Sequence, residues 1–244
     1  MGRSYRLGRG QRADRHHEIV DGVPNWRWTI DVDGLPEVYP QRGIYAPASV
    51  RRNGRHQLPF IICTSSPHKY NTDSTPWADE VNAKSGMAIY YGDAKATQER
   101  PAAEVSGNRM LTEAWRLHKS VDAEDRLMSP PVILWTTHGA TGPGKGYRWI
   151  EGIAVVDTVD LVMQEDPRGR QFENVRFGLR FVDLEDDSGA VNSTWLNSRR
   201  LSEGSLAEQL ALAPYSWQRF VKSGVSALHG AGRRPAPLRL VANR

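Results

Sequence analysis

The sequence predicts a mixed α+β fold, a twisted, barrel-like β core with flanking helices. Three observations carry that prediction. Many short apolar runs are bounded by turn residues, which is a strand signal. Helical periodicity is confined to one stretch in the middle of the chain and to segments near its end. No internal repeat is visible.

The elements follow in order. Residues 1–18 read as a flexible basic arm, with Arg3, Arg6, Arg9, Arg12 and Arg15 at every third position. Trp26–Ile30 alternates and is rich in β-formers, so it predicts a strand. Gly43–Ala46 predicts a short strand. Arg51–His56 contains Asn53-Gly54, a tight-turn signal, and leads into the buried strand Leu58–Cys63. Ser65–Pro76 is polar and aperiodic, a long loop of the kind that often carries function. Trp77–Val81 predicts a strand, a turn follows near Lys84–Gly86, and Met87–Tyr91 predicts the central strand. Thr97–Asn108 reads as loop. Arg109–Lys119 places Met110, Leu111, Ala114, Trp115 and His118 on one helical stripe. Pro130–Thr137 and Tyr147–Val156 predict strands joined by a glycine-rich turn at Thr141–Gly146. Val175–Asp183 alternates, with arginines on one face and apolar residues on the other. Thr194–Leu201, Leu206–Leu212 and Tyr215–Lys222 predict helices, with Ser205 and Pro214 as start signals. Gly230–Arg244 is loose and Pro-rich. The division expected is an arm at 1–18, a core domain at 19–200, and C-terminal helices with a basic tail at 201–244.

Composition narrows the function classes. The 244 residues suffice for one large domain or one domain with a tail. No apolar run approaches the roughly 18 residues of a membrane span, and the Arg-rich start lacks the apolar core of a secretory signal. The single cysteine, Cys63, rules out an internal disulfide framework and a Cys-based zinc cluster. A reducing, cytoplasmic setting is expected. Net charge is +4 and the pI is about 9.3. The positive charge gathers in the arm, at Arg51, Arg52 and Arg55, and after Trp217, where no acid occurs. Such clusters neutralise phosphates or lie solvated on the surface.

The chain centres on Met87-Ala-Ile-Tyr-Tyr-Gly-Asp-Ala-Lys95. An apolar strand ends in two tyrosines, a glycine turn and an aspartate. Flat rings and an acceptor carboxylate suit a planar ligand that donates hydrogen bonds, such as a nucleobase. A core strand with an ordinary surface aspartate is the other reading of the segment alone.

Catalytic signatures are missing. Gly142-Pro-Gly-Lys-Gly146 lacks the Walker spacing and a following Ser or Thr. His16-His17 lies in the arm. Ser66-Pro-His68 with Asn71 resembles half of a nuclease His–Asn pair without its metal site. Asp183, Glu185, Asp186 and Asp187 crowd one turn with no Glu-x-Lys partner. No catalytic residue, metal or cofactor is expected.

The succession Pro59-Phe-Ile-Ile62, Ser66-Pro-His-Lys-Tyr70, Trp77-Ala-Asp-Glu80, Tyr90-Tyr-Gly-Asp-Ala-Lys95, Gly107-Asn-Arg-Met-Leu111 and Pro130-Pro-Val-Ile-Leu134 resembles the N-terminal SRA-like domain of modification-dependent restriction endonucleases of the AspBHI and MspJI type. The resemblance implies an SRA/PUA-like twisted β-barrel that binds double-stranded DNA carrying 5-methylcytosine or 5-hydroxymethylcytosine and flips the base into a pocket. It implies that Asp93 accepts from the exocyclic amine and that Tyr91 and Trp77 wall the base. It places Tyr90, Ser65, Ser66 and His68 around the pocket. Lys95, Asn108 and Arg109 would meet the flanking backbone. Arg51, Arg52, Arg55 and Lys145 would add groove or backbone contacts. Family members continue into a nuclease domain, so this chain would be the recognition part of a larger enzyme or would work with a nuclease partner. No membrane partner is expected, and the oligomeric state stays open. Two alternatives remain at this point: a nuclease in its own right with an unrecognised metal site, and a reader of phosphorothioate DNA or of RNA.

Overall fold

The computed structural model describes residues 3–6, 17–20, 22–26, 30, 35–36, 38, 43–82, 85–137, 147–182 and 193–228. The strands among them are β1 (Arg3–Arg6), β2 (Ile19–Val20), β3 (Val23–Pro24), β4 (Ile44–Tyr45), β5 (Val50–Arg52), β6 (Arg55–Gln57), β7 (Ile61–Ser65), β8 (Glu80–Asn82), β9 (Met87–Tyr91), β10 (Val132–Thr137), β11 (Tyr147–Glu165) and β12 (Gln171–Phe181). The helices are α1 (Ser106–Lys119), α2 (Ala123–Met128), α3 (Ser193–Ser198), α4 (Leu206–Ala211) and α5 (Tyr215–Ser223). An eight-stranded sheet runs β4-β7-β10-β11-β12-β9-β8, and β1 pairs with the start of β11. The β7–β10 pair is parallel, in register from Ile61 opposite Val132 to Ser65 opposite Thr136.

The centre of this sheet is buried on both faces, which explains its uninterrupted apolar strands. Phe60, Ile62, Ile133, Trp135, Ile153 and Val155 face the C-terminal helices and pack with Trp195, Trp217 and Phe220. Ile61, Cys63, Val132, Leu134, Ala154 and Val156 face the other way, onto Leu111 and Ala114 of α1. On β12, Val175, Phe177, Leu179 and Phe181 join this second core while Arg176 and Arg180 point away from it, as the alternation predicts. Each buried aromatic or branched side chain contributes roughly 1.5–3 kcal/mol.

Among the described residues the sheet curls without a closing ladder, so the mixed α+β, SRA-like fold stands and a barrel describes it only loosely. Its edges among the described residues, β4 and β8, do not pair. Side chains bridge the gap instead. The Tyr90 hydroxyl hydrogen-bonds the backbone of Thr64, and Asp79, just before β8, accepts from the Ser65 hydroxyl at the end of β7. A seam of polar groups thus stands where a barrel would have a ladder.

Several elements differ from the expectation. Trp26 and Ile30 have helical backbone, and both are buried. Both belong to the core packed by the C-terminal helices. Arg3–Arg6 of the basic arm forms a sheet strand, with Arg3 opposite Ile150 and Arg6 opposite Tyr147. Helix α1 begins at Ser106 although Gly107 and Asn108 are poor helix formers. Packing overrides the propensity, because both residues are buried. Strand β11 continues to Glu165 past a bulge between Val156 and Thr158. The bulge turns Asp157 inward, where its carboxylate takes Lys119 Nζ at 2.9 Å and Arg180 Nη2 at 2.8 Å. The hairpin at Asn53-Gly54, both with positive φ, and the capping box of Ser205 and Glu208 form as read.

His118 on the α1 stripe is a packing residue. Its Nε2 lies 3.1 Å from the Pro130 carbonyl and its Nδ1 accepts from the Val156 amide at 3.0 Å. Burial lowers it to about 3, so the ring stays neutral. No helix among the described residues is long and apolar enough to cross a membrane.

Candidate nucleic-acid interface

The site is built on the end of β9. Alternation sends neighbouring side chains to opposite faces. Tyr90 points into the second core opposite Phe177 and is 3% exposed. Burial pushes its phenol well up, so it is neutral. Tyr91 lies opposite Arg176 on the other face and is half-buried. Trp77 is buried with its ring 6.4 Å from Phe172, on the same side of β12 as Arg176. Tyr91 and Trp77 therefore belong to the outer side, while Tyr90 lines the seam.

After the turn at Gly92, the Asp93 amide donates to Asn108 Oδ1 at 2.9 Å. The Asp93 carboxylate sits between two backbone segments. A Cβ on Gly43 would stand 2.7 Å from Asp93 Oδ1 and 3.3 Å from the Tyr90 hydroxyl oxygen. A Cβ on Gly107, in the first turn of α1, would stand 2.9 Å from Asp93 Oδ2. Glycine at both positions lets the chain approach the acid this closely. The carboxylate also faces the partial positive charge of the α1 N-terminus.

A second carboxylate stands beside it. Asp79 Oδ1 accepts from the Tyr91 amide at 2.9 Å. Burial pushes the Asp79 carboxyl up to about 6, against the Tyr91 and Ser65 hydrogen bonds that pull it down, and the charge of Asp93 pushes it further. Burial, then Asp93 and Asp79, also push the Cys63 thiol up. Two acids, a buried phenol and a buried thiol therefore share the seam.

The loop from Ser66 forms its rim. Pro67–Lys69 is a single 3₁₀ turn. His68 Nδ1 lies 3.1 Å from Thr137 Oγ1 at the end of β10. Burial and the charges of Lys69 and Arg148 lower the proton affinity of His68, so this rim carries positive potential.

The basic residues divide. Lys95 and Arg109 flank the seam in sequence, half-buried and exposed respectively. Arg51 is exposed, and Arg55 is paired with Asp125 at 2.7 Å. Arg52 must be corrected: it is 4% exposed and cannot reach a groove. Its guanidinium donates to the carbonyls of Leu201, Glu203 and Gly204 and to Gln57 Oε1. Asn108 is also not a backbone contact. It is fully buried and ties the Asp93 amide to the Ala102 carbonyl. Lys145 and the acids Asp183, Glu185, Asp186 and Asp187 lie outside the described residues. A cavity of about 420 Å³ is lined by Gln98, Glu99, Arg100, Val105 and Ser106. It shares the first turn of α1 with the Asp93 site but is not lined by Asp93.

Residues 30–231 match the family described as Restriction endonuclease AspBHI N-terminal. The chain belongs to this family. Over its whole length it is similar to MspJI restriction endonuclease, solved in complex with a 27-mer oligonucleotide, at 33% identity and a TM-score of 0.83, covering 55% of that chain. Its fold is shared by the DNA modification-dependent restriction endonuclease AspBHI, at 21% identity and a TM-score of 0.56, over 84% of this chain and 47% of that one. It is shared too by the DNA recognition domain of the cytosine modification-dependent restriction endonuclease LpnPI, at 16% identity and a TM-score of 0.55, over 83% of this chain and 80% of that one. The chain spans just over half of the MspJI chain and just under half of the AspBHI chain. No curated protein matches the sequence.

In this member of the AspBHI N-terminal family, Asp79 and Arg148 are the site residues that sequence reasoning missed. Asp79 lies within the Trp77–Glu80 motif, but its depth depends on a contact with distant Ser65. Arg148 gives no local signal beyond its charge.

Proposed function

We propose that this domain binds double-stranded DNA carrying a modified cytosine, 5-methylcytosine or 5-hydroxymethylcytosine, and holds that base outside the duplex. The observation that carries the reading is the seam, where two carboxylates and the Tyr90 phenol meet beside a basic rim. Asp93 accepts from the exocyclic amine of the base. Asp79 is a second acid against the same edge. Tyr90 offers ring surface in the seam, and Tyr91 and Trp77 offer it on the outer side of β9. Lys95, Arg109 and Arg148 meet phosphates on either side.

The energetics are consistent. Extruding a base costs a few kcal/mol, and stacking with edge hydrogen bonds must recover it. Stacking contributes roughly 1–3 kcal/mol per base. Burying one methyl adds about 0.8 kcal/mol, so pocket shape must supply further discrimination. Membership of the AspBHI N-terminal family supports a role in modification-dependent restriction. Cleavage would come from a nuclease domain of a longer chain or from a partner subunit.

The test is an equilibrium titration of this chain against otherwise identical duplexes carrying C, methyl-C, hydroxymethyl-C or a phosphorothioate linkage, with single-stranded RNA as competitor. Tighter binding of a duplex with modified cytosine is expected. Preference for the sulfur-substituted backbone or for RNA would replace this reading, and equal affinity for every duplex would remove it.

A further inference from the structure

The rim loop carries a large aromatic side chain that the fold does not use. Tyr70 is 59% exposed, and its ring and hydroxyl have no hydrogen-bond or ring partner among the described residues. Tyrosine buries a large apolar area wherever a surface is offered.

The backbone beneath it is braced. The Lys69 amide donates to the Ser66 carbonyl at 2.8 Å and the Tyr70 amide to the Pro67 carbonyl at 3.1 Å. The Lys69 carbonyl accepts from the Thr72 amide at 3.2 Å and the Thr72 hydroxyl at 2.7 Å. Asn71 follows with φ of 59°, a left-handed residue that turns the chain directly after the ring. Two residues further, Asp73 is pinned by Arg168 from the β11–β12 turn at 2.5 Å. The tip is thus preorganised, and ordering it on binding costs little entropy.

The surroundings fit nucleic acid. Lys69 and His68 precede the ring, and Arg148 stands near His68. The tip leaves β7 directly after Ser65, so it rises from the seam that holds Asp79 and Asp93. Cations for phosphate beside one solvent-facing ring are what a side chain entering a base step requires.

We propose that Tyr70 is a wedge: when the domain holds a cytosine outside the duplex, the Tyr70 ring enters the stack at that step and closes the gap. This rests on the reading under Proposed function, and the test separates the two. Wild type, Tyr70→Phe and Tyr70→Ala are titrated against a duplex with one 5-methylcytosine and 2-aminopurine as its 3′ neighbour, and against the unmethylated duplex. Tyr70→Ala should weaken binding of the methylated duplex about tenfold and brighten the 2-aminopurine, because the neighbouring base loses its stacking partner. Tyr70→Phe should keep wild-type affinity and quenching. Thermal melts of all three should nearly coincide, since the ring is mostly exposed. If wild type discriminates methylation and Tyr70→Ala matches it in affinity and fluorescence, the wedge alone is overturned. If wild type shows no preference, the base-holding reading fails and the wedge with it.

Discussion

The two sides of the sheet handle charge in opposite ways. On the side of the C-terminal helices the buried ions are arginines, and each is spent on backbone. Arg199 donates to the Pro59 and Ser129 carbonyls at 2.6 and 2.7 Å. Arg126 donates to Val221, Lys222 and Ser120, Arg200 to Ile30 and Pro36, and Arg52 to the Leu201–Gly204 turn. These guanidiniums staple loops that lack a ladder of their own. At the seam the ionisable groups are half-buried carboxylates. Asp79 is raised towards neutrality, and Asp93 is crowded between Gly43 and Gly107. The difference teaches that a buried charge marks a site by its surroundings, not by its burial. An arginine whose donors all end on carbonyls is architecture. A carboxylate held at a raised proton affinity beside another acid keeps its chemistry for a ligand.

Substitutions can break or sharpen that contrast. The largest effect is expected from Arg199→Ala, which strips two charge-assisted bonds and leaves a void. The loss should be on the order of 3–6 kcal/mol in urea unfolding, and a loss below about 1 kcal/mol would deny the stapling role. Asp79→Asn should act the other way. The folded carboxyl ionises near pH 6 and the unfolded one near 3.8. Wild-type stability therefore falls as pH rises through that window and levels above it. The variant keeps an acceptor for the Tyr91 amide without this cost. Its advantage should grow from pH 4 to pH 6.5 by on the order of 1–3 kcal/mol, and a pH-independent difference would show that Asp79 is not raised. Tyr90→Phe should cost about 1 kcal/mol by removing the hydroxyl that meets Thr64 across the seam, and an unchanged melting temperature would make that bridge irrelevant. Lys95→Ala should weaken binding of all duplexes alike and lower the salt slope by about one. A loss confined to methylated DNA would place Lys95 at the base.

Much of the scaffold was legible. Strands β7, β10 and β12 announce themselves because burial on two faces or one leaves an apolar run or an alternation. The Asn53-Gly54 turn and the Ser205 cap are local chemistry. The arginines were not legible as a class, since Arg51 and Arg52 differ only in which face of a short strand each occupies. At the site, Tyr91 and Asp93 stood out because a strand, a glycine and an acid lie together in sequence. The depth of Asp79 did not, because Ser65 and Asp93 create it from distant positions. The open seam was hidden for the same reason: strand count cannot say whether edges pair.

The most direct test of the seam as the reading site is the ratio of affinities for methylated and unmethylated duplex, measured at one salt concentration for wild type and Asp93→Ala. The account predicts a ratio of at least about ten in wild type and near one in the variant, with weak binding of plain duplex retained. A ratio that survives Asp93→Ala would contradict it.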